Sequence, residues 1–151
     1  MSREKNIFVS HFHTHAEWIN KLKDLLEKHG LTMKDSSIYE KKNPNSAKNE
    51  DYIKSFIRPR IKWAGTVVVL IGENTHKSDY VQWEIEYAAR EGKRIVGVYL
   101  PGEDNSTLPE ALIQYGDALR HWNGDSIIDA ITGDDTWDGP NRHWDGPRST
   151  C

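Results

Sequence analysis

The sequence predicts an α/β protein whose parallel, five-stranded sheet is flavodoxin-like and doubly wound, with helices on both faces. Three observations favour this class. Short apolar runs alternate with helical patterns of roughly ten to fifteen residues, as in βαβ units. The strongest runs contain no alternating polar residue, as expected of strands covered on both faces. Glycines follow two of the helical patterns and end them. The expected strand order is 2-1-3-4-5.

The chain opens with a strand, a helix and a second strand. Ile7–Val9 is an uninterrupted apolar run, typical of a buried parallel strand. From His15 to His29 apolar residues recur at spacings of three and four, which predicts a helix. Gly30 ends it, and the short strand Leu31–Met33 follows.

The middle of the chain contains a second helix and the central strand. Apolar residues on one side of Asp51–Trp63 predict the helix, and Pro59 is expected to kink or end it near Arg58. Thr66–Ile71 is apolar and rich in β-branched residues, which indicates a strand buried on both faces. Gly72 ends this strand.

The third helix begins at Ser78 or Asp79, either of which can cap it, and runs to about Glu91 before Gly92. The same reasoning gives the remaining elements. These are a strand at Ile95–Leu100, a short helix at Leu108–Tyr115, a strand at Ala118–Trp122 and a helix at Ser126–Ile131.

The last part of the chain repeats itself, since Trp137–Pro140 and Trp144–Pro147 both read Trp-Asp-Gly-Pro. Two copies are too few for a repeat architecture. We therefore expect one domain over residues 1–133 and a flexible tail over residues 134–151, able to dock through its two Trp rings.

Composition excludes several classes of function. With 20 Lys and Arg against 23 Asp and Glu, the net charge is −3, without the basic excess of a nucleic-acid or membrane-surface binder. The single Cys cannot form an internal disulfide or a Cys/His zinc site. The longest apolar stretch, Val67–Ile71, is far too short for a membrane span. These features predict a soluble, cytoplasmic protein.

A candidate site follows the central strand. In a helix, Tyr80 and Glu84 share one face, so an aromatic ring flanks a carboxylate. Apolar neighbours of Glu84 place the carboxylate at the border between core and cleft, where it can stabilise a positively charged sugar. The alternative is an ordinary solvated Glu, with Tyr80 and Trp83 serving only to pack.

Alternating histidines follow the first strand. His11, His13 and His15 have no carboxylate or thiol beside them in the sequence. A loop rim that contacts a ligand is therefore favoured over a metal site. Neither GxGxxG nor GxxxxGK[ST] occurs, so no phosphate-binding loop of those types is predicted.

Several short motifs together resemble one family, the TIR and TIR-like domains. The closest likeness is to the small bacterial TIR-like proteins of antiphage defence, the Thoeris type, and it extends from about Asn6 to Trp122. The residues that carry it are Ile7–His11, Asp35–Ile38, Val67–Gly72, Thr75, Ser78 and Val81–Ile85.

The resemblance implies an activity, cleavage of the bond between nicotinamide and ribose in NAD, with Glu84 as the catalytic residue. Tyr80 takes the position at which the family commonly has Trp. The substrate would also contact Trp83, Ser36 and Ser37. The pocket-lining loop after the first strand corresponds to Ser10, His11 and His13, where many relatives carry Tyr or Arg. The mobile loop over the pocket corresponds to residues 36–48.

The same resemblance implies how the activity is used. NAD is the substrate, so neither a cofactor nor a metal is expected. The product would be ADP-ribose or a cyclic isomer, a nucleotide signal that activates a separate effector, and the enzyme would self-assemble. Two alternatives stay open. One is a non-catalytic TIR-type adaptor, and the other is a Glu-dependent, nucleoside-transferring enzyme of similar fold.

Overall fold

The computed structural model of the protein describes residues 3–36 and 50–140. Within these residues five strands form one parallel sheet in the order β2-β1-β3-β4-β5. This confirms the predicted α/β class, the flavodoxin-like topology and the strand order. The strands are β1 Arg3–Ser10, β2 Leu31–Asp35, β3 Thr66–Ile71, β4 Arg94–Tyr99 and β5 Ala118–Arg120.

Helices cover both faces of the sheet and divide the core in two. Helices α1 and α5 pack on the face that carries Val9 and Val68, whereas α2, α3 and α4 pack on the face that carries Phe8 and Val69. The central strand β3 is buried along its whole length, because both faces are covered. The helices are α1 Glu17–Lys28, α2 Glu50–Trp63, α3 Asp79–Arg90, α4 Glu110–Tyr115 and α5 Gly124–Ile131.

Pro59 was expected to kink or end the second helix near Arg58, and it does not end it, since α2 continues to Trp63. Proline cannot donate to the carbonyl four residues before it. The helix continues past it because Ile57 and Ile61 of α2 are buried against the sheet. One turn of α2 carries a further bond, from the Arg60 guanidinium to the Phe56 carbonyl at 2.9 Å.

Strand β2 is shifted relative to β1 and β3. Its last residue, Asp35, pairs with Ile7, which in turn pairs with Thr66 at the start of β3. Ser10, at the end of β1, pairs with Val69. The carboxyl end of β2 therefore lies about 10 Å below that of β1, at roughly 3.3 Å for each of three residues.

The residues after α5 run beside the outer strand of the sheet. The Leu119 amide donates to the Thr136 carbonyl at 3.1 Å, and the Asp138 amide donates to the Leu119 carbonyl at 2.8 Å. Trp137 packs on the α4 side of the core. The domain boundary at Gly133 and the flexible tail after it remain predictions. The second Trp-Asp-Gly-Pro copy belongs to residues 141–151, which lie outside the described part.

No helix in the described ranges is both long enough and apolar enough to cross a membrane.

Candidate active site

The Glu84 carboxylate lies beneath α3, against the end of β1. The Ser10 hydroxyl donates to Glu84 Oε1 at 2.6 Å, and both side chains are 0% exposed. An O–H to carboxylate bond of this length is charge-assisted and among the stronger hydrogen bonds of proteins. Two residues that are 74 positions apart thus form the centre of the site.

The local sequence explains why the side chains of Ser10 and Glu84 are in contact. Ser78 caps α3, its hydroxyl accepting from the Val81 amide at 3.2 Å, so the helix begins at the end of the loop 72–78 that follows β3. Val81, Ile85 and Ala88 are buried in the core between α3 and the sheet. Glu84 lies between them on the same face, and Ser10 alternates onto that face of β1 as Phe8 does.

The structure corrects one expectation about Glu84. The residue is fully buried and does not lie at a half-exposed border between core and cleft. The sequence pattern underestimated its burial because a Glu on the apolar face of a helix normally extends its carboxylate to solvent. Here Ser10 supplies a hydrogen bond inside the core, which reduces the cost of burying the group.

Tyr80 lies within electrostatic range of Glu84. Burial raises the pKa of the Tyr80 phenol, and the negative charges of Glu50 and Glu84 raise it further. The predicted role of the Tyr80 ring beside the Glu84 carboxylate remains a prediction. Glu50 is the first residue of α2, so the beginning of that helix borders the same region.

Trp83 lies on the side of α3 that faces α2. Its ring stacks on Tyr87 at 5.5 Å between centroids, with the Lys54 ammonium 5.2 Å and the Arg58 guanidinium 5.7 Å from the ring centre. These contacts make Trp83 a packing residue between two helices. Its predicted contact with substrate remains a prediction.

The three histidines have different surroundings. His11 is buried, its Nδ1 3.4 Å from the Val9 carbonyl oxygen, whereas His13 is exposed on a short 3₁₀ helix, His13–His15. His15 is half-buried, and burial lowers its pKa. Its imidazole lies so close to Gly72 that a Cβ there would approach His15 Cε1 to 2.9 Å. The loop after β1 is thus fitted against the end of β3.

Ser36 does not reach the level of Ser10. Its amide donates to the Ile7 carbonyl at 3.2 Å, and its hydroxyl donates to the Arg60 carbonyl at 3.0 Å. The shift of β2 therefore keeps Ser36 below the Ser10–Glu84 pair. Ser37 and the rest of the predicted pocket loop up to Lys48 lie outside the described residues.

The chemically active group of this candidate site is the Glu84 carboxylate, which is held by the Ser10 hydroxyl. A carboxylate is a group that can stabilise a cation developing next to it. Within residues 3–36 and 50–140 no three His, Cys, Asp or Glu side chains come together as metal ligands.

One further polar group near this edge was not predicted. Thr75 is fully buried, and its hydroxyl oxygen accepts from the Gly72 amide at 2.9 Å. This bond turns the chain sharply between β3 and α3, and Asn74 adopts a left-handed backbone conformation in the same turn. A Thr three residues after a strand-ending Gly is a weak sequence signal for such a turn.

Comparisons with known proteins add a family and a set of distant folds. The family described as Thoeris protein ThsB, TIR-like domain, matches residues 8–105. No curated protein matches the sequence. Among solved structures, a CMP N-glycosidase from Clostridium botulinum is 17% identical with a TM-score of 0.48, over 85% of this chain and 98% of that one. A conserved protein from Enterococcus faecalis is 11% identical with a TM-score of 0.49, over 91% of this chain and 92% of that one.

Proposed function

The chain belongs to the TIR-like domain family of the Thoeris protein ThsB, and from that premise we propose that it cleaves the nicotinamide–ribose bond of NAD. The observation that carries the proposal is the buried hydrogen bond between Ser10 and Glu84, at the carboxyl ends of the strands where ligands of doubly wound folds bind. It holds a carboxylate in one orientation at the helix position that the family resemblance marks as catalytic.

In the proposed reaction the bond between C1′ of the ribose and the nicotinamide nitrogen breaks. The electron pair leaves with nicotinamide, which becomes neutral, and the ribose becomes an oxocarbenium-like cation. The Glu84 carboxylate stabilises that positive charge, an electrostatic effect that is largest in a water-poor site. Ser10 does not touch the reacting atoms. It is a positioning residue that fixes Glu84 Oε1.

The second half of the reaction decides the product. If water attacks C1′ and loses a proton, the product is ADP-ribose. If a hydroxyl or base nitrogen of the same molecule attacks and loses its proton, the product is a cyclic isomer. As in the antiphage role that the resemblance implies, the product would be a cytoplasmic signal that activates a separate effector.

Full burial of Glu84 adds a condition to this mechanism. Because the side chain is 0% exposed, the ribose meets the carboxylate only when groups that cover it are displaced. The buried state is also the dry state in which the carboxylate acts most strongly on a neighbouring charge. Self-assembly, which the family resemblance implies, is one means of producing that displacement.

The decisive experiment replaces Glu84 with Gln and follows NAD turnover by separating the products and identifying them by mass. Gln preserves the side-chain volume and an oxygen that accepts from Ser10, but it removes the charge. We expect turnover to fall by at least about a hundredfold, typical of a lost electrostatic contact in a transition state, with little change in NAD affinity.

The matched control is Glu86→Gln, an exposed position two residues along the same helix. It removes the same charge from α3 and should leave turnover within about twofold of wild type. Circular dichroism spectra of both variants are compared with that of wild type to check that they fold. Full NAD cleavage by Glu84→Gln, under conditions in which wild type is active, contradicts the catalytic assignment.

One observation favours a second candidate. Complete burial with a hydroxyl partner also suits a structural carboxylate, as a non-catalytic TIR-type adaptor would have. The same assay separates the candidates. An adaptor leaves NAD intact in the presence of its activating partner, and a nucleoside-transferring enzyme exchanges bases between deoxynucleosides supplied in a parallel reaction.

A further inference from the structure

A cleft of about 550 Å³ lies at the carboxyl ends of β4 and β5. It is called the second cleft, because it is separate from the candidate site at Ser10 and Glu84. That volume is within the range of small-molecule sites, about 300–1,000 Å³. Its walls come from the last residue of β4, the loops that follow β4 and β5, and the segment Asp138–Pro140. Two strand spacings, about 10 Å, separate β4 from β1 and Ser10.

Tyr99 lines this cleft, and its hydroxyl oxygen lies beside Gly139, which lines the cleft too. The side chain is 1% exposed, and among the residues described here its hydroxyl has no hydrogen-bond partner. Buried polar groups are nearly always bonded, so this hydroxyl is available to donate to a ligand atom in the cleft. Burial and the nearby Asp104 carboxylate raise the pKa of Tyr99, so the group stays protonated and able to donate.

His121 provides a flat surface beside Tyr99. The two rings stack at 5.4 Å between centroids with 19° between their planes, and His121 Nδ1 lies 3.5 Å from Asp104 Oδ1. The His121 side chain remains 51% exposed. A planar ring can therefore stack on the accessible part of the imidazole while Asp104 holds the imidazole in place.

The Trp-Asp-Gly-Pro motif builds the remaining wall. Trp137 Nε1 donates to the Pro140 carbonyl at 3.0 Å, which closes the four residues into a turn. A Cβ at Gly139 would overlap Leu119 Cδ2 and lie 3.0 Å from the Tyr99 hydroxyl oxygen. Glycine is thus required for the turn to approach the cleft, and the turn brings Asp138 to its rim.

The lining chemistry selects among ligands. Two carboxylates, Asp104 and Asp138, repel phosphate groups but accept hydrogen bonds from hydroxyls. The Tyr99 hydroxyl, in turn, donates to a hydroxyl or ring nitrogen. Vicinal hydroxyls joined to a flat, uncharged ring satisfy all of these groups together. We propose that this cleft binds a nucleoside that carries no phosphate.

The test uses the full chain and adenosine as the probe, with binding followed by NMR chemical shifts and by calorimetry. We expect shifts at Tyr99, Asp104 and His121, and at least about tenfold weaker binding of adenosine monophosphate, whose phosphate meets two carboxylates. Ribose alone should bind more weakly than adenosine because it has no ring to stack. Monophosphate binding as tight as that of adenosine, or no shifts at millimolar adenosine, overturns the proposal.

Two variants separate binding from structure. Tyr99→Phe removes only the unpartnered hydroxyl, so its melting temperature should equal or exceed that of wild type, while adenosine affinity falls about tenfold. Unchanged adenosine affinity in Tyr99→Phe contradicts the assignment. Chemical shifts at Tyr99, Asp104 and His121 report on this cleft and not on the Ser10–Glu84 pair, so the result is independent of the proposed NAD cleavage.

Discussion

A buried carboxylate is stable only when its oxygens are hydrogen bonded, and at Glu84 the Ser10 hydroxyl supplies one of these bonds. Replacing Ser10 with Ala removes this donor without changing the backbone. Hydrogen bonds to charged groups contribute about 1.5–3 kcal/mol, so we expect Ser10→Ala to lower the free energy of unfolding by about 2 kcal/mol. Urea unfolding of the two proteins measures the change.

The pair is tested by a double-mutant cycle. In the Glu84→Gln background the bond is neutral, so adding Ser10→Ala should cost only about 1 kcal/mol. Equal costs in both backgrounds would show that Ser10 does not interact with the charge of Glu84. Lower NAD turnover in Ser10→Ala, with unchanged affinity, is the result expected of a residue that positions the carboxylate.

Asp134 links the segment after α5 to the buried guanidinium of Arg120. Its Oδ1 lies 2.9 Å from Arg120 Nη2 and accepts from the hydroxyl and the amide of Thr136. The bonds from Thr136 lower the pKa of Asp134, and the charges of Arg120 and Arg94 lower it further. Because the pKa is lowered, the Asp134 carboxylate stabilises the folded state at pH values above 3.8, the ordinary pKa of the group. This stabilisation is lost as the pH falls through the lower pKa of the folded state.

Asp134→Asn should therefore melt at a lower temperature than wild type near pH 7. The difference should shrink below about pH 4 and vanish once wild-type Asp134 is protonated. Melting curves of both proteins across this range test the expectation. A difference that stays constant down to about pH 2 would assign the effect to something other than the charge.

Among the helices, α2 contains a proline, Pro59, which disfavours helical structure at its position. Pro59 is exposed, so replacing it with Ala removes no packing and restores a donor for the Ser55 carbonyl. Proline costs about 3 kcal/mol relative to Ala inside a helix, partly offset by the entropy it removes from the unfolded chain. We expect Pro59→Ala to raise the free energy of unfolding by about 2 kcal/mol.

Lys62→Ala, at another exposed position of α2, is the matched control and should change stability by less than about 0.5 kcal/mol. Both are measured by urea unfolding. If Pro59→Ala is no more stable than wild type, the proline fits the helix without cost.

The sequence predicted elements and their order well, because alternation of buried strands with helices leaves few parallel topologies. The stagger of β2 was not predictable from the same pattern. Side chains alternate with a period of two, so sliding β2 by two residues leaves every residue on its face. The pairing that the structure shows places Asp35 opposite Ile7, three residues before Ser10.

The hydrogen bond between Ser10 and Glu84 marks a similar limit. Spacing placed Glu84 on one face with Tyr80, and the family resemblance singled out both Ser10 and Glu84. Only the three-dimensional packing of α3 on the sheet shows that the two side chains touch and that both are buried. The second cleft was missed because Tyr99, His121 and Asp138 belong to three segments without a common motif.

In the molecule as a whole, the carboxyl edge of the sheet contains two separate candidate sites. The Ser10–Glu84 pair lies under α3 at β1, and the second cleft lies at β4 and β5. The half-buried His15, fitted against Gly72 at the end of β3, lies between them along the edge. Because the second cleft depends on residues 138–140 and the first does not, shortening the chain separates their contributions.

A chain that ends at Gly133 loses every contact that residues 134–140 make with β5. It loses two backbone hydrogen bonds to Leu119, the packing of Trp137 and the carboxylate partner of Arg120. The first two contributions sum to about 2–4 kcal/mol, which corresponds to a fall in melting temperature of about 5–12 °C at this size. A chain that ends at Pro140 keeps all of these contacts and is the matched control.

The shortened chains also test what the outer strand does when uncovered. An edge strand with free backbone groups pairs readily with another chain, so the protein ending at Gly133 should associate at concentrations where the protein ending at Pro140 stays monomeric. Light scattering coupled to size-exclusion chromatography measures this difference. NAD turnover of the two chains, assayed under conditions in which wild type is active, should differ little, because Ser10 ends β1, on the far side of β3 from β5. Equal melting temperatures and equal association of the two chains would show that residues 134–140 do not protect β5.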